Sequence, residues 1–278
     1  YDPLVTCSDA SACITLIVNG CTDATACNYD VLANVDDSSC DLPNGCMDAT
    51  AVNYDPAATC DDGSCIILSI GDTYGGGIIF YLDGNGGGLI AAPSDQSSGT
   101  EWGCYGTAIS GADGTAIGTG SQNTVDMESG CSSWNSYASD VCENLTLGGY
   151  NDWFLPSKDE LNKMYLNLHL QGLGGFAAAD YWSSTEFDNF NAWYQYFSNG
   201  GQSNYGKHAI TNVRAIRAFG NMTISGCTDP TGLNYNSLAN TDDGSCIVMG
   251  SHYQGGIIFW LDGNGGGLIA APYDQIFI

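Results

Sequence analysis

The sequence predicts a mixed α+β domain of about 150 residues, set among small acidic repeats that disulfides hold together. Three observations carry that reading. Residues 76–93 read GGIIFYLDGNGGGLIAAP and recur at 255–272 with Trp260 in place of Tyr81. Each copy follows a cysteine-bounded segment, GCMDATAVNYDPAATCDDGSC at 45–65 and GCTDPTGLNYNSLANTDDGSC at 226–246. Between the copies, short apolar runs alternate with two stretches of helical period. The second copy stops at Ile278, so the chain is expected to be a window cut from a tandem array. The expected order is half a cassette at 1–13, cassettes at 20–40 and 45–65, a domain at 67–220, a cassette at 226–246, and the truncated start of a second domain at 250–278.

The cassettes come first along the chain. Cys21 and Cys40, Cys46 and Cys65, and Cys227 and Cys246 bracket segments of equal length that share an Asn-Tyr pair and a closing Asp-Asp pair. Segments so short and so poor in apolar residues cannot bury a core. Closing such a loop with a disulfide removes unfolded-state entropy worth roughly 3 kcal/mol, so the outer cysteines are expected to pair. Cys27 and Cys60 have no equivalents in the third cassette, where Leu233 and Thr241 stand. They form an optional extra bridge, with Cys27–Cys60 and Cys7–Cys27 both open. Cys7 and Cys13 belong to the broken first cassette, their partners expected upstream of the chain. Zinc is not expected, because CxxC knuckles and accompanying histidines are missing.

The cassette carboxylates raise a separate question. Asp23, Asp30, Asp36 and Asp37 lie within fifteen residues, as hard oxygen ligands for calcium do. Asp48, Asp55, Asp61, Asp62, Asp229, Asp242 and Asp243 take the matching places. These segments are similar to the short Asp-rich repeats of secreted marine bacterial and thrombospondin-like proteins, a resemblance that implies spacers stiffened by structural calcium. A plain disulfide-stapled loop with solvated acids stands beside that reading, since the full EF-hand spacing is absent. No other cofactor is expected.

Within the domain, residues 77–82 and 88–92 are apolar runs around Asp83-Gly84-Asn85-Gly86-Gly87, which spells a β-hairpin. Residues 94–130 are rich in Gly, Ser and Thr and read mainly as loop. Residues 133–145 carry Trp134, Tyr137, Ala138, Val141, Cys142 and Leu145 at helical spacing. Cys142 is therefore expected as a buried free thiol, which leaves Cys104 and Cys131 to pair. Ser157-Lys158-Asp159-Glu160 is a capping box. It opens a helix through about His169, with Leu161, Met164, Tyr165 and Leu168 facing the core. Strands follow at 181–185, 192–197 and 213–219, with loops between them. Arg214 or Arg217 is expected to brace Asp152 or Glu160 internally.

The segments GGGIIFYLD, EWGC, GGYNDWFLPSKDEL, YWSSTE, AWYQYFSNG and VRAIRAF occur in that order. Together they resemble the domain family named after the C-terminal region of a bacterial collagen-like adhesin, over about residues 70–219. That family is grouped with C-type-lectin-like folds, alongside formylglycine-generating enzymes and the variable proteins of diversity-generating retroelements. The resemblance implies two small twisted sheets, two flanking helices and a loop-rich ligand face. In the diversified relatives the variable residues lie in the late loops. Here those are Phe187, Asp188, Asn189, Phe190, Asn191, Trp193, Tyr194, Asn199, Gln202, Ser203, Asn204, Tyr205 and His208, a paratope-like mixture of aromatic, Asn, Ser and Gly residues.

Composition bounds the partners. Against 31 Asp plus Glu stand 5 Lys plus Arg, for a formal net charge of −26. Such a field repels nucleic acid and anionic lipid. No run reaches the roughly 18 apolar residues of a membrane helix, so no membrane insertion is expected within this chain. The cysteines fit an oxidising, extracellular setting. No catalytic set is expected. The enzymatic relatives use paired cysteines in the second half of the domain, where this chain has none between Cys142 and Cys227. Ser183, His208 and Asp188 can be drawn as a triad, but no nucleophile elbow accompanies them. The expectation is a secreted or cell-surface adhesin binding an extracellular glycan or protein ligand through repeated domains, with self-association through the repeats open. A structural fibre component is the alternative, and a formylglycine-type enzyme is the least favoured.

Overall fold

In a computed structural model the chain is described at residues 16–131, 136–220, 222, 225–232, 235, 239–242, 244, 246–253, 255–261 and 267–271. The half-cassette at 1–13 with Cys7 and Cys13, the helix residue Trp134, and the cassette residues Leu233, Asn234 and Asp243 lie outside the described residues. The chain divides into two compact units, 1–67 and 68–278.

The described part of the first unit holds two cassettes built alike. In one, Asn19–Gly20 pairs in parallel with Val35–Asp36; in the other, Asn44–Gly45 pairs with Cys60–Asp61. The recurring Asn clamps the closing turn. Asn53 donates through Nδ2 to the Ser64 carbonyl at 2.8 Å and accepts at Oδ1 from the Ile66 amide at 2.7 Å. Asn28 makes the same two bonds to Ser39 and Asp41. The recurring Tyr lies across a bridge from the first cysteine, Cys21 to Tyr29 and Cys46 to Tyr54. What is buried is almost only sulfur and alanine: Cys21, Ala26, Cys46 and Ala51. The disulfides Cys21–Cys40 and Cys46–Cys65 therefore replace a core, and Cys27–Cys60 joins one cassette to the next.

The second unit holds the α+β domain. Its strands are β1 (Thr73–Tyr74), β2 (Gly77–Leu82), β3 (Gly88–Ala91), β4 (Ser97–Thr100), β5 (Asp180–Glu186), β6 (Asn191–Tyr196), β7 (Gln202–Gly206), β8 (Thr211–Val213) and β9 (Ile216–Phe219). They form a four-stranded sheet, β9-β3-β2-β1, and a five-stranded sheet, β7-β6-β5-β8-β4. The helices are α1 (Gly120–Gly130), α2 (Ala138–Glu143) and α3 (Lys158–Asn167). The hairpin β2-β3 forms because Asp83 Oδ1 accepts from the amides of Asn85 and Gly87, closing the turn. Gly88 admits no side chain there, since a Cβ would collide with the Tyr81 carbonyl oxygen. Phe80, Leu89, Leu161, Met164, Leu168, Tyr181, Phe197 and Ile216 make the core between the hairpin, α3 and β5.

The capping box at the head of α3 is formed, Ser157 and Glu160 bonding each other's backbone amides. Glu160 does more than its local motif requires. It is fully buried and also accepts from Gly118 and Gly120 at the start of α1. One carboxylate thus caps two helices. Burial pushes its carboxyl up to about 7, against the lowering effect of those amide bonds.

Four expectations need correcting. Residues 94–130 are mainly loop as expected but also contain β4 and α1, so among the described residues three α-helices accompany the sheets rather than two. The buried face of α1 has helical spacing, but its residues are Gly120, Asn123, Thr124 and Met127. A search for apolar period misses such a stripe. The helix expected over 133–145 is shorter, starting at Ala138 after an N-cap at Tyr137. The strand expected over 213–219 breaks at Arg214 and Ala215, so β8 and β9 enter different sheets. The loop expected after residue 198 contains the edge strand β7.

The third cassette repeats the pattern, with Cys227–Cys246 bonded and Ser225–Gly226 paired to Thr241–Asp242. After it, β10 (His252–Tyr253), β11 (Gly256–Leu261) and β12 (Gly267–Ala270) form a three-stranded sheet. Its register is that of the first hairpin: Ile78 faces Ala91 and Ile257 faces Ala270, with the same bulge in each copy.

Candidate ligand-binding face

The residues expected to bind lie along β6 and the edge strand β7 and in the turns at the two ends of that pair. Between β5 and β6, Asp188 shapes a tight turn. Its Oδ1 accepts from the amides of Phe190 and Asn191, each at 2.8 Å, and from Asn191 Nδ2 at 3.0 Å. The amide of Phe190, then the side chain of Asn191, holds the Asp188 carboxyl below the usual carboxylate value. That geometry turns Phe187 and Phe190 outward, about half exposed. Phe187 packs edge-on against Trp193 at 5.5 Å.

A second loop is pinned to this turn. The Gly106 amide donates to the Asn189 carbonyl at 2.8 Å, and the Lys207 amide donates to that of Phe190 at 2.9 Å. Lys207 is fully buried. Its Nζ pairs with Glu186, donates to the Thr107 carbonyl at 2.8 Å, and lies 4.6 Å from the Trp102 ring centroid. Glu186 in turn accepts from the Ile109 amide at 2.9 Å. Cys104–Cys131 ties the loop to the end of α1. Tyr105 is thereby held 5.3 Å from Phe190 and 4.6 Å from His208, ring to ring.

The thirteen candidates divide accordingly. Phe190 and His208 join one exposed aromatic cluster, and Phe187 joins Trp193. Asn204 and Tyr205 are exposed on edge strand β7, with Tyr205 5.7 Å from the Tyr194 ring. Tyr194 itself is buried beneath this edge and packs on Trp182, so it is a support and not a contact surface. Burial, then the neighbouring Tyr196, raises its hydroxyl pKa. Asp188 and Asn191 are engaged in their turn, and Asn199 is engaged with the Gly201 amide. Gln202 donates to the Lys158 carbonyl at 2.7 Å, while Ser203 and Asn189 are half-buried. Tyr105 was missed by sequence reasoning. Its only signal is an aromatic residue beside a cysteine in a glycine-rich stretch.

Ser183, His208 and Asp188 are not assembled as a triad. Ser183 is buried and donates to the Trp193 carbonyl, whereas His208 is exposed against Tyr105. His169 stacks on Tyr165. Arg217 braces Asp152 as expected of one of the two arginines, but Arg214 pairs with Asp95 and neither reaches Glu160. Lys158 pairs with Asp159 at 3.0 Å. Four of the five cations are thus held in ion pairs, and the Lys158 ammonium also lies 5.4 Å from the Trp193 ring centroid.

The cassette carboxylates are spent locally. Asp23, Asp48 and Asp229 each accept from the amide and hydroxyl of the Thr two residues on. Asp30, Asp36, Asp37, Asp55, Asp61, Asp62 and Asp242 each accept from the amide two residues on. These are Asx turns. Among the described residues no three His, Cys, Asp or Glu side chains are gathered to hold a metal ion. Asp243 lies outside the described residues.

The fold and this face define a class: a small disulfide-braced α+β domain presenting aromatic loops from a sheet edge. Residues 93–217 match the family model of the Lcl C-terminal domain, from just after the first hairpin to within β9. Comparison with curated proteins returned no match. The family match points to an adhesin-like or surface protein. The five disulfides among the described residues suit an extracellular setting. Among the described residues no helix is long and apolar enough to cross a membrane.

Proposed function

We propose that this chain belongs to a secreted or cell-surface adhesin whose C-type-lectin-like domains bind an extracellular glycan or a protein ligand. Repetition of the domains supplies avidity. The observation that carries this reading is the exposed aromatic group Tyr105, Phe190 and Tyr205 on braced loops and an edge strand. Rigid aromatic area costs little entropy to bring to a ligand. The whole chain applied to glycan and protein arrays is expected to bind a defined set. Alanine at Tyr105, Phe190 or Tyr205 is expected to weaken that binding about tenfold each. No binding at high concentration, with self-assembly instead, would overturn this reading in favour of a structural fibre. The covalent Cys27–Cys60 link between cassettes supports the fibre as the second reading.

The cassettes serve as spacers, and each of their described acids accepts from an amide of its own turn, which holds the loop without an ion. A chelator is expected to leave the melting midpoint unchanged. A midpoint that falls with chelator and returns with calcium would reinstate structural calcium.

A further inference from the structure

The two sheets of the α+β domain end in edge strands β9, β1, β4 and β7, and the first three are blunted. On β9, Ile216 exchanges amide and carbonyl bonds with Phe154, each at 2.9 Å. Strand β1 is only two residues long. The pairing of β4 with β8 slips in register, and Glu101 follows β4 directly. Short length, bulges, charge and covering chain are the usual protections of an edge. Strand β7 has none of them. It runs five residues, pairs with β6 without a register shift, and contains neither proline nor charge. Among the described residues no further strand lies beyond it.

The register fixes which backbone groups β7 offers. The Lys207 amide donates to the Phe190 carbonyl, and the Tyr196 amide donates to the Gly201 carbonyl at 2.8 Å. Bonding toward β6 therefore falls on alternate residues, which within the strand are Ser203 and Tyr205. Gln202, Asn204 and Gly206 turn their amides outward, and Gln202 and Asn204 their carbonyls too. The Gly206 carbonyl is taken by the Ala209 amide at 2.7 Å, which ends the ladder there. Just past that point stands the cluster of Tyr105, Phe190 and His208, and the Tyr205 ring beside the edge is about half exposed.

We infer that β7 binds an extended segment of a protein ligand, which joins the sheet as one more strand. This rests on the ligand-binding reading of the face and narrows it to a polypeptide backbone. The outward groups call for donors and acceptors alternating at strand spacing, and an extended chain supplies them. From Asn189 to Gly206 no side chain is charged, and the Lys158 ammonium over Trp193 is already paired with Asp159. An uncharged strand therefore meets no opposing charge along the edge. The chain's net charge of −26 draws in a segment with basic flanks and opposes a second copy of itself. The partner is thus an uncharged extended run between Lys or Arg residues, with an apolar side chain where it passes Tyr205.

The test is selection of a phage-displayed library of random short peptides against the whole chain. Selected peptides are expected to carry a proline-free alternating run flanked by Lys or Arg. Methylating alternate backbone nitrogens of a selected peptide is expected to weaken it about tenfold in the register that faces the edge, and to change little in the other. Asn204→Pro removes one outward amide where an edge strand tolerates proline. It is expected to weaken the same peptide about tenfold with an unchanged melting midpoint. The inference is overturned if selection yields no such peptides, if both methylated registers bind alike, or if Asn204→Pro binds as the parent does. Glycan binding that survives Asn204→Pro but is lost in Phe190→Ala leaves the ligand-binding face standing and overturns the added strand alone. A parent that sediments as a dimer, with Asn204→Pro a monomer, gives the edge to a second copy and also overturns it.

Discussion

Lys207→Ala is expected to destabilise the second unit by about 3–5 kcal/mol, read as a shifted denaturant midpoint with an unchanged slope. The magnitude follows from what the substitution leaves behind. Lys207 is fully buried and Glu186 nearly so. Removing the ammonium strands a carboxylate in a dry site and orphans the Thr107 carbonyl. The loss is also functional, since the same ammonium ties the Thr107 loop to the end of β5. Tyr105 and Phe190 are expected to lose their fixed spacing, and ligand binding with it. Lys207→Ala/Glu186→Ala is expected to recover part of the stability, because no charge is then left unpaired. A single variant as stable as the parent would show that the pair is not buried.

Arg214→Ala is expected to cost about as much, and Arg214→Lys to recover little of it. The guanidinium satisfies several acceptors at once. Nε and Nη2 reach Asp95 Oδ1 at 2.8 and 2.6 Å, and Nη1 reaches the Ala92 and Gly174 carbonyls at 2.9 and 2.7 Å. It also lies 4.0 Å from the Phe176 ring centroid. A lysine ammonium is a point charge and cannot span that fork. Asp95 additionally accepts from Tyr181, so the disturbance reaches β5. Thermal melting of the two variants separates loss of charge from loss of geometry.

The parts of the fold that sequence disclosed are those whose determinants lie within one turn or loop. The Asp83 turn, the Ser157 capping box and the cassette cysteines each contain their own partners within about twenty residues. What stayed hidden depends on distant contacts. Asp95 and Arg214 are separated by more than a hundred residues. Nothing in their neighbourhoods announces the pair. The helix α1 stayed hidden because its inward face is held by hydrogen bonds: Asn123 bonds Gly114 and Ser184, and Thr124 bonds Leu155. The proposed face uses the loops that sequence singled out, but which of its side chains are exposed was misjudged. Tyr194 reads as a contact residue and is a buried prop, while Tyr105, which sequence did not single out, is exposed.

The repeated hairpin also bears on how the chain assembles in time. Its two copies reach one register in different surroundings, Leu89 fully covered and Leu268 about half exposed. The pairing is therefore encoded locally and can form within microseconds of the turn being available. The strand that completes the first copy arrives much later, since Ile216 pairs with Ala91. At ribosomal speed that interval lasts on the order of ten seconds. For that time an apolar sheet edge stands open on the nascent chain. The dense negative charge of the preceding cassettes is then a safeguard against chains sticking to one another before the domain closes.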